Sequence, residues 1–253
     1  VLGTAFPHLL KGMTSTLPWR TVLFITSGLA LFGGVLMLLF VPDGPYRKQS
    51  QSLQFSGFFS IFKSSNFRAA AFGYFGHMWE LYSFWALVPV MLVTYSSIHV
   101  ETNLNVAILS FVIIGVGSIA CVLSGYLSQR YDTKGVATWA LSLSGICCLL
   151  SPLFFYVNYP AVFICFLCSW SVFVIADSPL FSTLVAQNVD VKLKGTALTI
   201  VNSLGFLITI LSIQFIQYLK NYSDSPMIYM SLAIGPILGL WALLKKEKQE
   251  GSI

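Results

Sequence analysis

"NVAILSFVIIGVGSIACVLSGYLS", residues 105–128, carries no charged side chain. A helix crosses the hydrocarbon core of a bilayer with about 20 mostly apolar residues, and this run is long enough. Six further runs qualify: 19–41, 67–93, 135–157, 160–187, 195–219 and 227–244. Residues 1–10 read as the tail of an eighth. Turn signals separate the runs, among them Pro42 to Pro45, Asn103, Asp132 to Gly135, Asn158 to Pro160, Asp190 to Gly195 and Asn221 to Pro226. Within the long polar connection 42–66, "SGFFSIFKSSNF" mixes Phe with Ser and Lys63, as a short helix on a membrane surface does.

Composition agrees. Of 253 residues, 56% are hydrophobic and only 9% charged, with a mean hydropathy of +0.79. A soluble domain has about a quarter charged residues, and a larger core does not remove the need for polar cover. The expected fold class is therefore an all-α integral membrane protein, with seven full transmembrane helices plus the tail of an eighth. The net charge of +5 is no sign of nucleic acid, because the basic residues sit at the ends of apolar runs and form no stripe. Cys121, Cys147, Cys148, Cys165 and Cys168 all lie in apolar runs and read as small packing residues, so no metal or cofactor is expected. H-E-x-x-H, G-x-S-x-G and P-loop patterns are missing, so the chain does not read as an enzyme. It opens on "VLGTAFPHLL", without Met and reading as the inside of a helix, so further sequence is expected upstream.

Lys and Arg set the orientation. Numbering the connections alternately by side puts Arg47, Lys48, Lys63, Arg68, Arg130, Lys134, Lys192, Lys194, Lys245, Lys246 and Lys248 on one side, and Lys11, Arg20 and Lys220 on the other. The positive-inside rule then places the 42–66 loop and the C-terminus in the cytoplasm, with the chain in the inner membrane of the cell.

The acids single out a site. Asp43, Glu101, Asp132, Asp190, Asp224, Glu247 and Glu250 fall in loops or tails; Glu80 and Asp177 alone lie at membrane depth. A carboxylate there costs about 2.5–3.5 kcal/mol on insertion scales and normally faces a bundle interior or a wet cavity. Glu80 is about 21 Å along its helix from Asn66 at 1.5 Å per residue. On a helical wheel it shares a small, polar face with Ala69, Gly73, Gly76, His77, Ser83 and Leu87. His77 and Glu80, three residues apart, can touch. A carboxyl group in apolar surroundings holds its proton more firmly, and imidazole titrates near neutrality, so the pair can exchange a proton. It can equally be a permanently protonated acid bonded across helices, with His77 as structural partner. Asp177 shares a face with Trp170, Phe173, Val174 and Phe181, and Pro179 should bend the helix near Ile175. Asp177 could hold a proton, a cation or a substrate amine, or simply satisfy backbone groups freed by the bend. Gly117, Cys121 and Gly125, four apart, read as a close helix crossing, and Asn202 reads as a bond between helices or a substrate contact, the former favoured.

Several stretches resemble the major facilitator superfamily. "LPWRTVLFITSGLALFGGVLMLLFVPDGP" resembles the sixth helix of such a transporter, entered through Trp19-Arg20 and left at Val-Pro. "GYLSQRYDTK", 125–134, resembles the repeated loop motif G-x-L-a-D-R-x-G-R-K. Gly125, Leu127, Arg130 and Lys134 match; Gln129, Asp132 and Thr133 depart. "GYFGHMWELYSFWALVP" is similar to a subgroup labelled nitrate/nitrite or cyanate permease-like.

The resemblance implies that 1–41 ends an N-terminal half, with the tail of helix five and helix six. Residues 42–66 would then be the cytoplasmic loop between halves, 67–244 the C-terminal six-helix half and 245–253 a cytoplasmic tail. Helices one, four, seven and ten line the cavity of such a transporter, which would put Glu80 and Asp177 on cavity walls. Gly73, Gly76, Ser83, Trp170, Phe173 and Phe181 become cavity-lining candidates. The implied function is alternating-access transport of a small solute, coupled to protons through Glu80, His77 and Asp177. The implied partners are the solute, the proton, the bilayer and the N-terminal half of the same chain. A membrane sensor or scaffold that keeps the fold without transport is the alternative.

Overall fold

The computed structural model describes residues 1–13, 18–42 and 60–245, and these contain helices and no strand. In chain order the helices are α1 (Leu2–Met13), α2 (Trp19–Phe40), α3 (Ser65–Ile98), α4 (Val106–Arg130), α5 (Thr133–Phe155), α6 (Pro160–Ala176), α7 (Ser178–Gln187), α8 (Lys194–Lys220) and α9 (Ile234–Leu244). A short 3-10 turn, Val191–Leu193, leads into α8, and a longer one, Pro226–Ala233, leads into α9. Among the described residues, seven stretches are long and apolar enough to cross a membrane: Trp19–Phe40, Ser65–Ile98, Val106–Arg130, Thr133–Phe155, Pro160–Gln187, Val191–Lys220 and Pro226–Leu244. They coincide with the seven predicted runs to within a few residues. Of the stretch 56–67 expected to form a surface helix, residues 56–59 lie outside the described residues, 60–63 form a single short turn, and 65–67 already belong to α3.

The polar residues between runs act as helix caps. The side chains of Ser64, Asn105 and Asp132 accept from the backbone N–H groups of Phe67, Ile108 and Gly135, at 3.3, 3.1 and 2.9 Å. Each satisfies a donor that the first turn of a helix leaves free. Asp132, a departure in the loop motif, is thus the N-cap of α5.

α3 is the axis of the bundle. Residues from Phe67 to Tyr95 are buried around most of its circumference, and α4, α7, α8 and α9 pack on it. Gly73 and Gly76 face Gly239 and Gly235 of α9. A Cβ on Gly76 would lie 3.0 Å from the Gly239 Cα and closer still to the Gly235 carbonyl oxygen. The small face of the sequence wheel therefore serves a crossing of two backbones. α1 packs along α4, while no residue of α2 is buried.

Of the predicted α4 crossing residues, Gly117 lies against the Ile175 side chain, whereas Gly125 meets nothing within 4 Å. The other matched loop-motif residues stay at the surface or at an opening. Leu127 is exposed, Arg130 folds back to donate to the Tyr126 hydroxyl at 2.7 Å, and Lys134 lines a 270 Å³ opening with Asn66 and Asn188.

Polarity is distributed as in a membrane bundle. Large apolar residues such as Val122, Trp139, Leu153, Leu211, Leu238 and Trp241 are exposed, while Ser83, Ser144, Ser171, Thr209 and Ser212 are buried among the helices. With hydrocarbon outside, buried hydroxyls are where hydrogen bonds between helices form. Ser83 Oγ donates to Ser212 Oγ at 2.8 Å and Ser212 Oγ to the Trp79 carbonyl at 2.6 Å. The Tyr74 hydroxyl donates to Asn202 Oδ1 at 2.9 Å, the bond between helices expected of Asn202.

Candidate functional site

Glu80, His77 and Asp177 are each 0% exposed. α3 carries the first two one turn apart. The third sits where the span Pro160–Gln187 breaks into α6 and α7. The sequence signal for that break was Pro179, which has no N–H to give Ile175. The freed Ile175 carbonyl accepts instead from the Asp177 backbone N–H, with the Cys121 thiol 4.0 Å away. The Asp177 side chain makes no cap bond at the break.

The pairing differs from the sequence expectation. His77 does not turn to Glu80; its Nδ1 meets Asp177 Oδ1 at 2.8 Å. The reason is directional: residues three apart on α3 are neighbours on its surface, but the break in Pro160–Gln187 brings Asp177 against that same turn. The contact is short without being aligned as a hydrogen bond. Both ring nitrogens of His77 and both carboxylate oxygens of Asp177 lack an aligned partner among the described residues. Around the pair stand the rings of Tyr74 and Phe181, at 6.0 and 5.9 Å from the imidazole.

Glu80 turns the other way, into a set of donors. Trp170 Nε1 donates to Oε1 at 2.7 Å, the Cys148 thiol to Oε1 at 3.2 Å and the Ser144 hydroxyl to Oε2 at 2.9 Å. Trp170, which the wheel placed beside Asp177, serves Glu80 instead, held by the rings of Phe84 and Phe166 at 4.8 and 5.7 Å. Sequence reasoning missed Ser144 and Cys148. Their signal was present, since two small polar groups four apart in "LSLSGICC" share one helix face.

The cavity-lining candidates take these positions. Gly73 faces Phe181 and Leu243, Gly76 faces α9, and Ser83 bonds to Ser212. Trp170 and Phe181 are fully buried, and Phe173 is half-buried. A 590 Å³ cavity lies elsewhere, lined by His8, Lys11, Trp19, Pro89 and Val106 among others. Neither it nor the opening at Lys134 includes any of the six. Among the described residues no group of three or more His, Cys, Asp or Glu is placed to hold a metal, and the cysteines are free thiols.

The sequence profile of the Major Facilitator Superfamily matches residues 2–213. Eight chains of solved structures match the fold. One is a point variant of the E. coli fucose:proton symporter FucP, with a TM-score of 0.61 and 15% sequence identity. The match covers 88% of this chain and 53% of that one, so this chain spans about half of FucP's length. No curated protein matches.

Proposed function

Because the chain belongs to the Major Facilitator Superfamily, we propose that it forms part of a secondary active transporter that moves a small solute by alternating access, coupled to protons. One observation carries the coupling. Two carboxyl groups and one imidazole are buried together at the centre of a bundle whose spans hold no Lys or Arg at that depth. Ionisable groups are costly there, and a group able to be neutral on one side of the membrane and charged on the other is what a proton cycle uses. The likeness to FucP concerns the fold.

In this reading residues 67–244 are one six-helix half and 1–41 close the other. Residues 42–66 link the halves on the cytoplasmic side, and 245–253 form a cytoplasmic tail. Rocking of the halves would expose Glu80, His77 and Asp177 alternately. The Lys and Arg bias supports an inner-membrane chain with its C-terminus in the cytoplasm.

The resemblance to nitrate/nitrite or cyanate permeases fits the chemistry poorly. α4 holds no Arg before Arg130 at its end, so nothing on it would clamp a small anion at depth. Two acids and the aromatic rings beside Asp177 suit a cationic or amphipathic solute better. A sensor or scaffold with this fold should tolerate neutral residues at both acids, and a transporter should not.

The test uses the full-length transporter in liposomes loaded with a pH-sensitive dye. Candidate solutes are added outside, and the internal pH is followed. A solute that moves protons in the native protein should fail to do so in Glu80→Gln or Asp177→Asn. Proton movement unchanged in both variants sinks the coupling.

A further inference from the structure

We infer that Ser144 is a positioning residue whose hydroxyl lets Glu80 be stable both with and without its proton, with no movement of any heavy atom. The inference rests on reading Glu80 as a proton site.

The two carboxyl oxygens stand in different surroundings. Oε1 receives the Trp170 indole N–H and the Cys148 thiol, at 2.7 and 3.2 Å. An indole N–H can only donate. Oε1 is therefore fixed as an acceptor, whether as a carboxylate oxygen or as the carbonyl of a neutral acid. Any proton belongs on Oε2.

Oε2 faces Ser144 Oγ at 2.9 Å. The same Oγ lies 3.1 Å from the carbonyl oxygen of Leu141 in its own helix. A hydroxyl has one hydrogen and two lone pairs, and it rotates to suit. With Glu80 ionised, the hydroxyl hydrogen points to Oε2. When a proton arrives from solvent it binds Oε2, the new O–H donates to Ser144 Oγ, and the hydroxyl turns to donate to Leu141. One proton is gained by Glu80, and Ser144 keeps its own throughout. All the polar atoms of the cluster have partners in both states, so neither state leaves an unpaired group in a dry interior.

The contrast with Asp177 sharpens the assignment. That carboxylate meets an imidazole off axis, and among the described residues no hydroxyl is hydrogen-bonded to it. The titratable groups that act on Glu80 are Asp177 at the α6–α7 break and Cys147 and Cys148 on α5, while His77, one turn away on α3, turns to Asp177. α6 contributes Trp170, which does not titrate. No Lys or Arg stands among them.

The experiment is infrared difference spectroscopy of the full-length protein in lipid nanodiscs as pH is stepped. In the native protein a neutral-carboxyl band, lost in Glu80→Gln, should disappear as pH rises. The S–H stretch lost in Cys148→Ala should fall in frequency in step, since a carboxylate is the stronger acceptor. Ser144→Ala removes a bond that is worth more to the ionised than to the neutral acid. The ratio of ionised to neutral Glu80 at a given pH should then drop about tenfold, and Ser144→Thr should restore it. If Ser144→Ala does not fold, Ser144→Cys, with its weaker donor, carries the same prediction in smaller measure.

A Glu80 band that never changes with pH, or a Ser144→Ala profile equal to the native one, overturns the inference. Loss of the proton-coupling reading is seen separately, as proton movement that survives Glu80→Gln while this spectroscopic switch persists.

Discussion

Replacing Gly76 by Ala probes the packing that holds the site. The new methyl group would lie 3.0 Å from the Gly239 Cα and inside contact distance of the Gly235 carbonyl oxygen. Both are backbone atoms, so no flexible side chain can swing aside, and α9 itself must shift. Overpacking of this kind costs about 1–3 kcal/mol. Against it stands the helix preference for Ala over Gly, about 0.5–1 kcal/mol. The net expectation is a loss of about 1–2 kcal/mol from these two terms. The control is Gly195→Ala, at an exposed position where nothing lies within 4 Å. There only the favourable term remains. Both variants are heated in detergent, and the surviving folded fraction is read by size-exclusion chromatography. Gly76→Ala should melt lower than the native protein, and Gly195→Ala at the same temperature or higher. Equal melting of the two variants would refute the close crossing of α3 and α9.

Three other outcomes follow from the contacts described. His77→Leu strips the buried Asp177 of its partner and should cost about 3–5 kcal/mol; adding Asp177→Leu should recover most of that in the same melting assay, and no recovery argues against a charged pair. Ser83→Ala and Ser212→Ala remove the two ends of one bond. Their combined loss should be smaller than the sum of the single losses by about 0.5–1.5 kcal/mol, read from a double-mutant cycle. Asp132→Ala removes the α5 cap and should cost about 1 kcal/mol, whereas Asp132→Asn should cost much less; equal losses would show that charge rather than capping matters there.

The number and placement of the spans and the identity of the acids at depth were legible in the sequence. The physical reason is the bilayer, which demands about 20 apolar residues per crossing and penalises charge. These are one-dimensional constraints that each segment meets by itself. The break at Asp177 was also local, because Pro179 withholds one backbone N–H wherever the helix is placed.

Partner choice was not legible. His77 and Glu80 share a helix face, and sequence spacing alone pairs them. Only the docked helices turn His77 to Asp177 and Glu80 to Trp170, Cys148 and Ser144. Likewise the small face around Gly76 can suit a cavity or a crossing, and the position of α9 decides for a crossing. A sequence sets which groups must be buried and satisfied. Which group satisfies which depends on directions between helices, and these exist only once the bundle is packed.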